Sequence, residues 1–404
     1  QLTPAEGMVA KLPVLDGETT TATAMTYGFN PYLSEWSPFH GAVYAVVEAA
    51  AKMVALGGRY DKIRLTLQEY FERLGKDSEK WGKPFSALLG ALWAQHEFEI
   101  PAIGGKDSMS GTFEDLNVPP SLIAFAVDVM HAGNAVSPEF KMVGNKVYAV
   151  PAPRDVYDLP VFDKLKKNFS QISELITAKK VFAAQSVRGG GIAAAITKMC
   201  LGNGIGFSFS KELRREELFG CNYGMILLEV AEHTDVSKLP ALTGYYELGR
   251  TVEVPNIICG KAVISIAKAE KTYGAVLEKI FPTQTRENTK QASCVTYKQG
   301  NKTVAQAAYA KPRIFIPVFP GTNCEYDTTR AFINAGADPE VMVIKNLSAS
   351  DVTESVNVFA EKIEASQIIF IPGGFSGGDE PDGSGKFITA FFRNAAIKEG
   401  VTDL

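Results

Sequence analysis

From residue 312 to 371 the chain alternates short β-branched and aromatic runs with amphipathic stretches. Arg313–Phe319, Glu340–Ile344 and Gln367–Ile371 read as strands, and Asp327–Ala335 and Val352–Ile363 as helices. Strands separated by a helix pair in parallel, and strand twist makes the crossover right-handed. This region is therefore restricted to a parallel α/β layer. Glycine-rich turns close two of its strands: Pro320-Gly-Thr-Asn-Cys324 follows the first and Pro372-Gly-Gly-Phe-Ser-Gly-Gly-Asp379 the third.

Two further segments precede it. In residues 1–143, Gly41 to Gly58 carries Val43, Val46, Val47, Ala50, Met53 and Val54 at helical spacing and stops on a Gly-Gly pair suited to a C-cap. Phe85–Phe98 predicts a second helix, and Lys62–Leu67 and Ser121–Val129 predict strands. In residues 144–282, Asn145–Val150, Val181–Val187, Gly224–Val230 and Ala262–Ala267 predict strands, and Ile192–Leu201 a helix behind Arg188-Gly-Gly-Gly191. Residues 283–311 are polar and aperiodic, the pattern of an exposed linker. No repeat of solenoid period occurs.

Charge and cysteine usage narrow the partners. A net charge of −4 with no block of five like charges argues against a nucleic-acid surface or a polybasic membrane patch. No apolar run is expected to approach the roughly eighteen residues that span a bilayer, and no signal peptide is evident. Cys200, Cys221, Cys259, Cys294 and Cys324 are odd in number and lack metal-ligand spacing, which predicts free thiols in a reducing cytoplasm. The four histidines are isolated and read as packing or surface residues. A start at Gln1 suggests a piece of a longer protein.

Four motifs could carry chemistry. Ile103-Gly104-Gly105-Lys106-Asp107-Ser108 offers backbone N–H groups to anionic oxygens, a lysine charge for phosphate, and an Asp-Ser pair for a metal or hydroxyl; the plain alternative is a polar turn. Asp16, ahead of a threonine-rich stretch, could ligate Mg²⁺ or sit in a surface turn. Glu48 lies four residues before Lys52, the order of a surface ion pair, and could instead be a metal ligand in a cleft. Arg188, Gly189, Gly190 and Gly191 lead into a helix whose N-terminal dipole favours a phosphate, or simply make a tight turn. Gly383-Ser-Gly-Lys386 is not a P-loop, because Glu380 and Phe387 stand where Gly and Ser/Thr are required. Cys324 follows the first strand of its sheet, and no histidine after His233 could activate it.

Gly105-Lys-Asp-Ser-Met-Ser110, the Val47-Glu48-Ala49 helix, the glycine turn at 189–191, Pro320-Gly-Thr-Asn-Cys-Glu325 and Pro372–Asp379 occur in that order. Together they closely resemble phosphoribosylformylglycinamidine synthase of the large, single-chain type. The resemblance implies an α+β fold with N-terminal and C-terminal domains of the aminoimidazole-ribonucleotide-synthetase (PurM) kind at 1–143 and 144–282. A linker at 283–311 and the first part of a flavodoxin-like α/β class I glutamine amidotransferase domain at 312–404 would follow. It also implies ATP- and glutamine-dependent conversion of formylglycinamide ribonucleotide in cytoplasmic purine synthesis, with ATP or ADP and Mg²⁺ as cofactors.

By the same resemblance, Gly104–Ser108 reach nucleotide and substrate, Asp16 and Glu48 are ligands of an auxiliary Mg–nucleotide site, and Gly373 and Gly374 form a glutaminase oxyanion loop. Lys52 and Ser186 stand where the family has an asparagine and an aspartate ligand, which implies that the auxiliary metal site is degraded. The expected partners are glutamine-derived ammonia, the family's first synthetase half, the rest of the glutaminase, and a second copy of the chain. No nucleic acid or membrane partner is expected. Other nucleotide-using enzymes of the fold group and a non-catalytic scaffold that docks the glutaminase are the alternatives.

Overall fold

Two-residue alternation and one unusually apolar helix set the first layer. In a computed structural model that describes residues 2–14, 17–231, 242–283, 293–296, 300, 309–373 and 384–404, the first strands are β1 (Met8–Lys11) and β2 (Thr21–Gly28). Helices α1 (Pro31–Trp36) and α2 (Pro38–Leu56), β3 (Arg64–Tyr70), α3 (Ser78–Phe98) and β4 (Ala102–Ser108) follow. A hairpin of β5 (Thr112–Phe113) and β6 (Leu116–Asn117) then leads into β7 (Ser121–His131). The sheet order is β1-β2-β7-β3-β4, with β4 parallel to β3 at one edge.

Helix α2 packs on one face of this sheet. Ser37 caps its N-terminus, Pro38 sits in its first turn, and left-handed Gly57 ends it, so local chemistry fixes both limits. Every residue from Gly41 to Leu56 is buried. The approach to β2 is so close that a Cβ on Gly28 would lie 2.0 Å from the Ala45 carbonyl oxygen. By length and composition α2 could cross a membrane, contrary to the sequence expectation, but it is 89% buried inside the fold and serves as the core helix of this layer. Met25, Tyr27, Phe125 and Val129 on the opposite sheet face are exposed.

The second layer contains β8 (Lys146–Val150), α4 (Phe162–Thr177), β9 (Val181–Ser186), α5 (Gly191–Leu201), β10 (Gly206–Phe209), α6 (Arg215–Phe219) and β11 (Ile226–Val230). It is completed by β12 (Tyr246–Val252), β13 (Asn256–Cys259), β14 (Ala262–Ser265) and α7 (Ile266–Glu278). Its sheet runs β14-β13-β10-β12-β8-β11-β9. Strand β11 is buried along its whole length between β8 and β9, which explains its nearly unbroken apolar sequence. All these elements lie in one compact unit, Gln1–Asn288.

A second unit, Thr289–Leu404, has its own core. It contains β15 (Arg313–Val318), α8 (Glu325–Asn334), β16 (Asp338–Val343), α9 (Ala349–Glu364), β17 (Ile368–Ile369), α10 (Ser384–Phe392) and α11 (Ala395–Asp403). The sheet is parallel in the order β16-β15-β17, as the alternation requires. Phe315, Phe319, Phe359 and Phe391 fill its core with edge-on ring contacts.

Several boundaries differ from the sequence reading. Helix α3 starts at Ser78 rather than Phe85 and contains Pro84, with Asp77 as its N-cap. Ala262–Ala267 divides at Ser265, whose side chain caps α7 by accepting from the Lys268 N–H. The sequence reading gives no element to α4, although Phe162, Leu165, Phe169, Ile172 and Ile176 form a buried stripe at helical spacing. Most of residues 283–311 lies outside the described residues.

Candidate functional site

Strand β9 ends at Ser186, and the chain turns through Val187–Gly190 into α5. Gly190 and Gly191 have φ of +87° and +64°, and a Cβ on Gly191 would lie 2.4 Å from the Leu218 carbonyl oxygen. Glycine is therefore required there for both conformation and space. The turn leaves Gly189 and Gly190 exposed at the N-terminus of α5, where unpaired N–H groups and the helix dipole favour an anion.

Beneath this turn lies a buried charge cluster. The Lys52 ammonium is 2.7 Å from Glu48 Oε1, donates to the Tyr27 carbonyl at 2.6 Å, and lies 4.1 Å from the Tyr27 ring centroid. Arg188 reaches Glu6 at 3.2 Å and Glu48 at 3.8 Å. Glu6 also accepts from the Ser186 N–H at 3.1 Å and from the Gln185 side-chain amide. Burial pulls the Lys52 pKa down, Glu48 opposes that shift, and Arg188 reinforces it. Lys198 is also lowered, by burial and then by Arg188. Tyr223, which accepts from the Asn30 amide, stands beside Gly189.

The structure thus brings Glu48, Ser186 and Arg188 together. Glu48 and Lys52 do pair, but as buried residues rather than on the surface. Asp16 lies outside the described residues. Magnesium does not fit Glu48 as these residues stand, because two cations already face the carboxylate and would repel a third. Among the described residues no group of three or more His, Cys, Asp and Glu side chains could hold a metal ion. A polar ligand is better matched at Ser186, whose hydroxyl is buried without a partner, as is the side-chain Oε1 of Gln185.

The other candidates lie elsewhere. Gly104, Gly105, Lys106, Asp107 and Ser108 form edge strand β4 rather than the expected loop. Gly105 lets that strand lie against β3, since a Cβ there would be 2.3 Å from the Leu67 carbonyl oxygen. Asp107 pairs in register with Glu69, which is buried with Oε1 unpartnered. Burial, aided by Asp107, pushes the Glu69 pKa up from 4.5 to about 7.

A group whose folded pKa is raised contributes stability below its unfolded value, and that contribution is lost as pH rises through the folded value. Glu69→Gln is therefore expected to stabilise the protein at pH 8 by on the order of 2 kcal/mol and to have little effect at pH 4. Urea titrations at both pH values test this, and equal gains at both would refute it.

In the second unit, Cys324 has φ +74°, precedes α8, and donates its thiol to Asn323 Oδ1 at 3.1 Å. The Asn323 N–H reaches the Gly373 carbonyl at 2.8 Å, which joins the two glycine-rich turns. Gly374 lies outside the described residues. Gly385 and Lys386 fall within α10.

Sequence reasoning missed Glu6, Tyr27, Lys198 and Tyr223. Only Glu6 carried a local hint, a carboxylate in the short segment Pro4-Ala-Glu-Gly7; the others reach the cluster from separate elements.

Residues 311–404 match the family model of the CobB/CobQ-like glutamine amidotransferase domain. The phosphoribosylformylglycinamidine synthase subunit PurL of Methanocaldococcus jannaschii is 25% identical over 264 residues, covering 56% of this chain and 35% of that protein. PurL of Petrotoga mobilis is 22% identical over 236 residues, covering 53% and 32%. Thermotoga maritima PurL complexed with ADP aligns with a TM-score of 0.53 at 12% identity, over 75% of this chain and 51% of that one. For the PurLQS structure from the same organism the TM-score is 0.51 at 13% identity, over 62% and 45%. The chain thus spans about a third to a half of the length of these relatives.

Proposed function

We propose that this chain, which joins a phosphoribosylformylglycinamidine synthase segment to a glutamine amidotransferase domain, works as part of an ATP- and glutamine-dependent carbon–nitrogen ligase. The observation that carries the reading is the presence of a PurL fold and a glutamine amidotransferase domain in one chain. Solved PurL relatives are complexed with ATP, ADP and FGAR, which supports a nucleotide and formylglycinamide ribonucleotide as ligands. The reaction would activate an amide oxygen with phosphate and displace that phosphate with ammonia kept away from water.

Within it, residues 1–143 and 144–282 are the paired synthetase-type domains, 283–311 the linker, and 312–404 the beginning of the glutaminase. Gly104, Gly105, Lys106, Asp107 and Ser108 contact nucleotide or substrate; Lys106 provides a phosphate counter-charge. Ser186, Arg188, Gly189 and Gly190 hold a second nucleotide without the Glu48 metal site. Gly373 and Gly374 supply oxyanion donors for glutamine hydrolysis. The uncovered face bearing Met25, Tyr27, Phe125 and Val129 pairs with the related first synthetase half, or with a second copy when that half is absent. The compartment is the cytoplasm.

The 404-residue chain alone should hydrolyse no glutamine and release no phosphate from ATP with formylglycinamide ribonucleotide and ammonia. Mixing it with a first synthetase half of the same enzyme type should restore ATP-dependent phosphate release. Turnover by the chain alone would overturn its inactivity, and failure of the mixture to form a complex would overturn the pairing.

A further inference from the structure

The glycine turn faces an anion the chain already supplies. Glu6 is buried, and its carboxylate engages the Ser186 N–H, the Gln185 amide and the Arg188 guanidinium. A backbone N–H, a side-chain amide and a guanidinium are also the donors that bind a phosphate oxygen. Glu6 arrives on a strap that leads into β1. Thr3 in the same strap donates to the Lys198 carbonyl and accepts from the Gly202 N–H at 2.9 Å, fastening it along α5.

Charge and hydrogen bonding both leave room for a further anion. Lys52, Arg188 and Lys198 oppose two carboxylates, Glu6 and Glu48. Among the described residues the Lys198 ammonium makes no ion pair, and the buried Ser186 hydroxyl has no partner. The exposed Gly189–Gly190 turn and the N-terminus of α5 adjoin these groups.

We infer that Glu6 is a built-in anion occupying the phosphate-binding donors of this turn, so that a nucleoside diphosphate is held fully only when the strap at residues 3–6 lifts. This rests on the nucleotide reading of Ser186–Gly190. The strap lowers the apparent affinity by the fraction of molecules in which it is seated. Glu6 thereby sets which ligands the turn accepts: a phosphate strong enough to displace a carboxylate enters, and weaker anions do not.

The test is calorimetric titration of ADP, with inorganic phosphate as the minimal probe, into the wild-type chain, Glu6→Ala and Glu6→Gln. Glu6→Ala should bind ADP about tenfold tighter than wild type or better, with Glu6→Gln between them. Equal, measurable affinity in all three would overturn the strap while leaving the nucleotide site standing. No binding by any of them would overturn both.

Hydrogen exchange of the wild type decides the question if Glu6→Ala does not fold. Saturating ADP should accelerate exchange at residues 3–6 and slow it at 189–192. Protection of both segments together would overturn the strap.

Discussion

Replacing Lys52 with methionine should cost unit 1 about 3–5 kcal/mol of stability, although methionine fills nearly the same space. The loss would come from charge. Lys52 is completely buried, and its ammonium is the nearest cation to Glu48, at 2.7 Å; Arg188 is at 3.8 Å and is shared with Glu6. Removing the ammonium leaves a buried carboxylate with a remote, divided partner. The Glu48→Leu, Lys52→Met pair removes both charges and should regain most of the loss, because a buried ion pair is often no better than an apolar pair of similar volume. A double-mutant cycle in urea checks this. If the double variant is as unstable as Lys52→Met, the loss is one of packing and the electrostatic account fails.

The second large effect is expected at Glu229. This completely buried carboxylate in β11 accepts from the Lys141 N–H at 2.8 Å, the Met142 N–H at 3.0 Å and the Asn145 amide at 2.7 Å. It thereby clamps the connection between β7 and β8, which links the five-stranded and seven-stranded sheets of unit 1. Burial raises its pKa, and these three donors oppose the rise. Glu229→Ala strands the donors around a cavity and should lose about 3 kcal/mol or more. Glu229→Gln keeps one good acceptor and should lose roughly half as much. The amides of Lys141 and Met142 should exchange faster in the alanine variant. Unchanged exchange at those amides would show that the connection is held by something else.

The legible parts of the sequence were those whose signal is local. Helix α2 announced itself by an apolar period and a Gly-Gly stop, which act within a few residues, while its start at Pro38 behind the Ser37 cap appeared only in the structure. The parallel α/β layer after residue 312 followed from alternation alone. The apolar stripe of helix α4 is periodic along the chain, but the lysines of its outer face, Lys164, Lys166 and Lys167, dilute it, and the sequence reading gives it no element. Gly104–Ser108 reads as a loop because its glycines and charges disfavour strands in isolation; pairing with β3 overrides that preference.

The pair Glu48 and Lys52 shows the division between the two levels. Sequence spacing established that they meet, since residues four apart on a helix share a face. It could not establish that this face lies inside the protein. Placement of α2 between the sheet and the glycine turn decided that, and only then did Tyr27, Glu6 and Arg188 converge on the same charges. Periodicity and capping act over a few residues and can be read along the chain. Burial and charge balance are sums over residues as far apart as Glu6 and Arg188, and only tertiary packing determines which of them count.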